Sequence, residues 1–194
     1  MIPEFEEIYA HNRWNGSETR SGPGSTTWAT EHLGPELVRV CTEVGATRVL
    51  DAGCGEGTWM PELPGYVGID PAPYAIERAR EHHPDRVYIL GDLRTGMPVL
   101  PVADLVITRD VMQHLPLADG VACLETFRRT GASHLLASTY TNGVNTDIEI
   151  GGCYSPDLRI DPFNLGEPLE TIFDGRMSGR AEDYPEKVMG LWHL

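Results

Sequence analysis

The stretch VLDAGCGEGTW, from Val49 to Trp59, decides how the rest of the sequence is interpreted. An apolar run typical of a buried strand ends at Asp51, and glycines follow at positions 53, 55 and 57. Glycine has no Cβ, so a ligand can approach its backbone closely. In a doubly wound α/β sheet, ligands bind beyond the carboxyl ends of the strands. The stretch therefore predicts a ligand site directly after a buried strand.

Strands and helices alternate around this stretch. Strand-like runs cover residues 48–51, 66–70, 86–90, 103–108, 134–139, 170–174 and 187–193, and helical patterns cover residues 4–10, 30–45, 57–63, 72–83 and 117–130. Strands that alternate with helices predict a parallel sheet with helices on both faces. The last two strands are joined by a charged turn, which predicts an antiparallel pair. Residues 141–168 are polar and turn-rich, and they predict a long functional loop.

The sequence divides into a short N-terminal segment, residues 1–29, and a main domain, residues 30–194. A length of 194 residues suits a single core. Residues 11–28 are rich in Gly, Ser, Asn and Thr but also contain Trp14 and Trp28. A plain linker would not need two tryptophans. The segment is interpreted either as a lid that packs aromatic side chains over a site or as a tail whose tryptophans cap the edge of the core.

The amino-acid composition limits the kinds of partner that the protein is expected to bind. A net charge of −14 repels phosphate backbones, so a nucleic-acid substrate is not expected. The acidic first ten residues and the lack of long apolar runs predict neither a signal peptide nor a membrane partner. Four scattered cysteines predict reduced thiols in a cytoplasmic protein, and seven histidines without ligand spacing predict no metal site. A homodimer is left open.

The residues around the glycines favour a cationic, phosphate-free nucleoside compound. The spacing is G-x-G-x-G, whereas a dinucleotide loop has a glycine where this chain has Thr58. No Gly-Lys-Ser/Thr phosphate loop is present, and Asp51 would repel a pyrophosphate but suits an ammonium group. Asp70 ends the next strand, where a carboxylate can accept both hydroxyls of a ribose. Asp92 follows the third strand, where it can accept an amino hydrogen of adenine.

These motifs together resemble the class I S-adenosylmethionine-dependent methyltransferases, in particular small bacterial enzymes that act on small molecules. VLDAGCGEG is similar to that family's first motif, YVGID to its second, GDL to its third and ADLVITRDVMQHL to its fourth, within residues 49–139. The resemblance implies S-adenosylmethionine as cofactor and a Rossmann-like, mainly parallel seven-stranded sheet whose last strand is antiparallel. The residues expected to contact the cofactor are Asp51, Gly53, Gly55, Gly57, Asp70, Asp92, Leu93 and Arg109.

The chain departs from the family pattern after the glycines. Pro61 and Pro64 cut short the helix that usually follows there, which leaves one side of the cofactor less covered. The N-terminal segment is expected to supply the missing cover. Arg109 is expected to pair with a carboxylate of the protein or of a ligand.

The substrate is expected to meet the chain after the fourth and fifth strands. Asp110 and His114 lie four residues apart, which places them on one face of a helical turn. Asp110 either holds an ammonium or guanidinium group or caps the turn, and His114 either accepts a proton or bonds a backbone carbonyl. The candidates for substrate binding are Tyr9 and Trp14, which could stack on a cation, and Tyr140 and Asn164 after the fifth strand.

The acidic and aromatic residues expected around the substrate favour methyl transfer to a small amine or guanidino compound, such as an amino acid or a natural product. The main alternative is O-methylation of a natural-product hydroxyl. Two alternatives from other classes are an NAD-dependent oxidoreductase and a non-catalytic nucleoside-binding module. The Tyr-x-x-x-Lys pair of many such oxidoreductases is absent, because Asp183 stands four residues before Lys187, which is the only lysine. A nucleic-acid methyltransferase is the least expected, given the net charge.

Overall fold

The computed structural model of the chain describes residues 2–95, 97, 100–178 and 183–194. Within these ranges the strands are β1 (Val49–Ala52), β2 (Val67–Asp70), β3 (Val87–Leu90), β4 (Leu105–Thr108), β5 (His134–Tyr140), β6 (Glu170–Phe173) and β7 (Lys187–His193). The α-helices are α1 (Pro3–Ala10), α2 (Thr27–Thr30), α3 (Leu33–Glu43), α4 (Pro73–His82) and α5 (Leu117–Arg129). Short 3₁₀ helices cover Pro23–Ser25 and Met112–His114.

The seven strands form one mixed sheet in the order β3-β2-β1-β4-β5-β7-β6. β1 pairs in parallel with β2 and β4, β2 with β3, and β4 with β5. β7 runs antiparallel to both of its neighbours, β5 and β6. The predicted doubly wound sheet with an antiparallel last strand is confirmed. The strand order reverses between β1 and β4, and this reversal forms the crevice in which such folds bind ligands.

Apolar runs explain why β1 and β4 lie at the centre of the sheet. All four residues of each strand are buried, as expected for parallel strands that helices cover on both faces. One core layer contains Phe5 of α1 and Phe127 of α5. The other contains Leu33 and Leu37, which lie one helical turn apart on the buried face of α3. The glycine loop after β1 is therefore held by a strand that is packed on both sides.

Two helices differ from the sequence-based prediction. The helix predicted at 30–45 begins later, as α3 at Leu33, and the short helix α2 ends at Thr30 before it. Pro35 lies in the first turn of α3, where its missing N–H costs no hydrogen bond within the helix. The helix predicted at 57–63 does not form. Pro61 and Pro64 lack N–H groups, and each disfavours helical backbone in the residue before it. The backbone after the glycine loop therefore needs cover from elsewhere in the chain.

Two further features of the described residues concern membrane-spanning helices and the state of the cysteines. In those ranges, no helix has the length and apolar character to cross a membrane. The four cysteines carry free thiols. Part of the predicted charged turn between β6 and β7, residues 179–182, lies outside the described residues.

Candidate functional site

A cavity of about 470 Å³ opens at the carboxyl ends of β1, β2 and β4. The glycine loop, the residues after β3 and β4, residues 151–153 and the N-terminal segment form its walls. The predicted site residues that line it are Asp51, Gly53, Gly55, Gly57, Asp70, Asp92, Leu93, Arg109, Asp110, His114, Tyr9 and Trp14. The topology therefore brings together residues from positions 9 to 114 of the chain.

The glycine loop has a backbone that other residues could not adopt without strain. Gly53, Gly55 and Gly57 have φ angles of +86°, +54° and +65°, in the left-handed region that favours glycine. A Cβ on Gly53 would overlap the side chain of Val111, and one on Gly55 would lie 2.6 Å from Oγ of Ser21. A backbone N–H of the loop also donates to this Ser21 hydroxyl at 3.3 Å. The N-terminal segment thus contacts the loop where the missing helix would have continued.

Two buried carboxylates stand at the ends of β1 and β2. Asp70 accepts hydrogen bonds from the N–H groups of Gly55 (3.0 Å) and Ala72 (2.9 Å), one on each oxygen. Burial raises the pKa of Asp70 to about 6, against the effect of these two hydrogen bonds. Burial also raises the pKa of Asp51 to about 7, although a hydrogen bond from Tyr66 (2.7 Å) opposes the rise. Both acids therefore change charge near neutral pH.

Asp92 lines the cavity but is already paired. Arg94 donates to both carboxylate oxygens, from Nε to Oδ1 (3.1 Å) and from Nη2 to Oδ2 (2.9 Å). Nη1 of Arg94 donates to Asp119 on α5 at 2.6 Å. Burial works against ionisation of Asp92, but the hydrogen bonds from Arg94 outweigh it and lower the pKa of that carboxyl. An amino group that bound Asp92 would have to share the carboxylate with Arg94.

Four charged side chains meet where Arg109 and Asp110 line the cavity, and they are named here the charge quartet: Arg109, Asp110, Asp174 and Lys187. Nε of Arg109 donates to Oδ1 of Asp174 at 2.9 Å, and Nζ of Lys187 lies 3.1 Å from Oδ2 of Asp174. Nζ of Lys187 donates to Oδ2 of Asp110 at 2.9 Å. Asp174 has no exposed surface and Lys187 is 2% exposed. Two positive and two negative charges balance, as buried ions require.

Asp110 reaches the cavity with a carboxylate that stays ionised. Its backbone φ is +58°, and its N–H donates to the hydroxyl of Ser138 at 3.1 Å. Burial opposes ionisation, but Lys187 and Arg109 outweigh it and hold the pKa of Asp110 well below its usual range. Oδ1 lies 2.8 Å from Nζ of Lys187 and has almost no accessible surface of its own. A ligand in the cavity would therefore meet the 17% of the Asp110 side chain that is exposed, and not this atom.

His114 is held as a neutral imidazole in one tautomer. Nδ1 lies 2.7 Å from the carbonyl oxygen of Gly152, so Nδ1 carries the proton and donates it there. The side-chain amide of Gln113 donates to Nε2 at 3.2 Å. Burial lowers the pKa of His114 and Lys187 adds to this, whereas the bond to Gly152 and the charge of Asp110 oppose it. Nε2 is thus a basic nitrogen whose present partner is a neutral amide.

The N-terminal segment forms part of the cavity wall. Nη2 of Arg109 donates to the carbonyl oxygen of Gly24 at 2.9 Å. Oε1 of Glu56, beside the glycine loop, accepts a hydrogen bond from the N–H of Arg20 at 2.6 Å. The indole of Trp14 lines the cavity. The segment is therefore attached to both the glycine loop and the charge quartet.

Two predicted substrate residues do not lie on the cavity wall. The hydroxyl of Tyr140 donates to Oε1 of Gln113 at 3.4 Å, so it lies one residue behind the wall. Asn164 lies in the long loop and donates to the carboxylate of Asp161 at 3.4 Å. The long loop reaches the cavity instead through residues 151–153.

Sequence reasoning did not find Gln113, Asp174 or Lys187 as parts of the site. The available signal for Lys187 was that it is the only lysine in a chain with 29 acidic residues. Asp174 had no comparable signal, because its partner Arg109 lies 65 residues away. The expectation that Arg109 pairs with a carboxylate is met by Asp174.

Residues 49–132 match the family described as "Methyltransferase domain". The matched region starts at β1, ends just after α5 and contains the glycine loop, Asp70, Asp92, Asp110 and His114. The N-terminal segment and strands β5–β7 lie outside it. No curated protein sequence matches the chain.

Solved structures share the fold over most of the chain. A magnesium protoporphyrin IX methyltransferase from Synechocystis PCC 6803, with bound SAM, has a TM-score of 0.66 at 16% identity, covering 98% of this chain and 95% of that chain. The N-methyltransferase NodS from Bradyrhizobium japonicum WM9 has a TM-score of 0.63 at 16% identity, covering 85% and 96%. A DhpI-SAH complex has a TM-score of 0.60 at 15% identity, covering 96% and 94%. Similarity at these identities shows the fold.

Proposed function

Because this chain belongs to the class I S-adenosylmethionine-dependent methyltransferases, we propose that it methylates a small polar molecule at an amine or guanidino nitrogen. The observation that carries the proposal is Asp110, an ionised carboxylate whose side chain is 17% exposed at the cavity wall. A cationic group of a substrate would share this carboxylate with Lys187 and Arg109, at a place that is largely shielded from water. An NAD-dependent oxidoreductase is no longer favoured, because the matched domain is a methyltransferase domain.

The residues around the glycine loop fit the cofactor. When bound, S-adenosylmethionine supplies a methyl carbon on a positively charged sulfur, which a nucleophile can displace directly. We infer that Asp70 accepts the ribose hydroxyls, since each of its oxygens uses one backbone N–H and has a second acceptor position. In this proposal the backbone of Gly53 and Gly55 would lie beside the methionine part, and Asp51 would supply negative charge there. Asp92 and Leu93 would hold the adenine, with Arg94 sharing the Asp92 carboxylate.

His114 is the proposed proton acceptor. An amine is protonated at neutral pH and must lose a proton before its lone pair can attack. Nε2 of His114 has a lone pair for that proton, and its hydrogen bond from Gln113 can be exchanged for one from the substrate. Asp110 meanwhile holds the substrate cation and limits its orientation, and alignment of this kind can supply about 7–11 kcal/mol in favourable intramolecular models.

A second candidate is O-methylation of a natural-product hydroxyl. The neutral His114 favours O-methylation, because a hydroxyl nucleophile also needs a base but does not need a carboxylate partner.

A panel of arginine-like amines and of phenols, assayed for S-adenosylhomocysteine release, separates N-methylation from O-methylation. Turnover of phenols with none of any amine would end the first proposal. Cofactor binding without transfer to any acceptor would instead favour the non-catalytic nucleoside-binding module.

Replacing Asp110 with asparagine tests the substrate side of the proposal. We expect Asp110→Asn to raise KM for a cationic amine by about 10- to 100-fold, because one charge-assisted hydrogen bond is lost. KM for a neutral hydroxyl substrate should change little in the same variant, and calorimetry should show unchanged cofactor binding. An equal effect on charged and neutral acceptors would contradict a role in holding a cation.

The pH dependence of cofactor binding tests the two buried acids. Asp51 and Asp70 are neutral below their raised pKa values and ionise as pH rises, so the affinity for the cationic S-adenosylmethionine should rise with pH. We expect an increase on the order of 10-fold between about pH 5 and about pH 7.

The control for this experiment is S-adenosylhomocysteine, which lacks the sulfonium charge and should show a shallower dependence in the same calorimetric titrations. Asp51→Asn should flatten the slope for S-adenosylmethionine, because asparagine cannot ionise. Parallel slopes for the two nucleosides would remove the acids from recognition of the sulfonium.

Three further expectations stay predictions. They are the role of residues 1–29 as a lid, the cytoplasmic location and the homodimer. A role in natural-product biosynthesis likewise depends on the acceptor that the substrate panel identifies.

A further inference from the structure

Trp14 of the N-terminal segment packs on the imidazole of His114. The two ring centroids are 4.9 Å apart and the ring planes are inclined by 31°. The indole also contacts Tyr9, edge-on at 5.6 Å, and Phe5 at 6.3 Å between ring centroids. Tyr9 in turn stacks on Tyr74 of α4 at 6.0 Å. The position of Trp14 is therefore determined by packed aromatic side chains of α1 and α4.

The face of an indole stabilises a cation more strongly than that of any other side chain. His114 becomes a cation only when Nε2 takes up a proton, because Nδ1 already donates to Gly152. The contact with Trp14 is consequently stronger in the protonated state than in the neutral state. The charged groups that act on His114 in that state are Asp110, which favours the cation, and Lys187, which opposes it.

The same segment also passes close to Asp110. The carbonyl oxygen of Gly24 accepts a hydrogen bond from Arg109, which lies 3.3 Å from Oδ2 of Asp110. A Cβ added to Gly24 would lie 3.3 Å from that oxygen, so the backbone of the segment passes close to it. The N-terminal segment thus contacts the proposed proton acceptor at one point and passes close to the proposed cation-binding carboxylate at another.

We infer that Trp14 is a positioning residue that stabilises the protonated form of His114, so that the N-terminal segment completes the catalytic site. This inference rests on the proposed function for the role of His114 as proton acceptor. It makes the catalytic step dependent on a part of the chain that lies outside the matched methyltransferase domain.

Nuclear magnetic resonance of the histidine side chains tests the inference without a substrate. In Trp14→Leu, the imidazole protons of His114 should lose the ring-current shift of the indole, and its pKa should fall by about half a pH unit. Leucine keeps the site apolar, so the loss reports the aromatic face and not entry of water. Trp14→Phe keeps a weaker aromatic face and should lie between wild type and Trp14→Leu.

Trp28→Leu is the matched control, because Trp28 belongs to the same segment but is 48% exposed and packs on Arg176. It should leave the His114 signals unchanged. Unaltered His114 titration in both Trp14 variants would overturn the inference. Should Trp14→Leu fail to fold, Trp14→Phe against wild type still decides, since phenylalanine is the weaker partner of a cation.

Kinetics separate failure of the inference from failure of the proposed function. With any accepted substrate, the acidic limb of the kcat profile should move in Trp14→Leu with the same sign and size as the His114 pKa. A shifted pKa with an unmoved profile would mean that His114 is not the proton acceptor, which contradicts the proposed function and leaves the coupling in place. An unmoved pKa with normal turnover would contradict only the role of Trp14.

Discussion

Replacing Asp174 with alanine is expected to lower the free energy of unfolding by about 3–5 kcal/mol. Asp174 has no exposed surface, and its carboxylate accepts hydrogen bonds from Arg109 (2.9 Å) and from the hydroxyl of Ser138 (3.2 Å). The variant leaves Arg109 and Lys187 with only Asp110 to balance them, in a place that water does not reach. Urea denaturation followed by tryptophan fluorescence measures the loss, and an unchanged m-value shows that the unfolding transition is comparable.

Asp85→Ala is the control for this prediction. Asp85 is exposed on the turn before β3, so its replacement should change the stability by at most about 0.5 kcal/mol. A loss below about 1 kcal/mol in Asp174→Ala would mean that the quartet is not a balanced buried cluster.

A double variant tests the reason for the loss. Asp174→Ala leaves one net positive charge in the quartet, and Lys187→Met removes one positive charge while methionine fills a similar volume. The double variant should therefore be more stable than the sum of the two single losses predicts, by about 1 kcal/mol or more. Strict additivity would indicate that Asp174 stabilises the fold through packing or through Ser138 and not through charge balance.

Replacing His114 with glutamine is expected to lower kcat by about 10²- to 10⁴-fold, the usual contribution of a positioned base. Glutamine retains a polar side chain of similar length but has no nitrogen that can take up a proton near neutral pH. In the unmodified protein, kcat should rise as pH rises through the pKa of His114, which burial places below its ordinary value. The acidic limb should be absent from the profile of His114→Gln.

His11→Gln serves as the control, because His11 is an exposed histidine at the end of α1. It should keep both kcat and the acidic limb. Calorimetric binding of S-adenosylhomocysteine should be nearly the same in His114→Gln and in the unmodified protein, so that the loss is assigned to proton transfer. A His114→Gln variant with near-normal kcat would show that the acceptor reaches the site already deprotonated.

Much of the fold was predictable because its signals are local. Apolar runs bounded by Gly, Pro and Asp predicted all seven strands to within a few residues of their observed ends. The helix predicted at 57–63 does not form, because Pro61 and Pro64 lack N–H groups and disfavour helical backbone in the residues before them. The glycine loop, the acids at the ends of β1 and β2 and the acid after β3 were found because parallel strands end at the same edge of a sheet.

The sequence by itself determined that a Cβ-free loop and three acids would lie together at that edge of the sheet, because strand alternation and turn residues act over short distances. Only the tertiary structure decided which groups contact Asp110 and His114. Lys187 reaches Asp110 across 77 residues because β7 inserts next to β5, and Trp14 reaches His114 because α1 packs on α4. Charge balance and ring contacts of this kind depend on which elements become neighbours, and no local pattern encodes that.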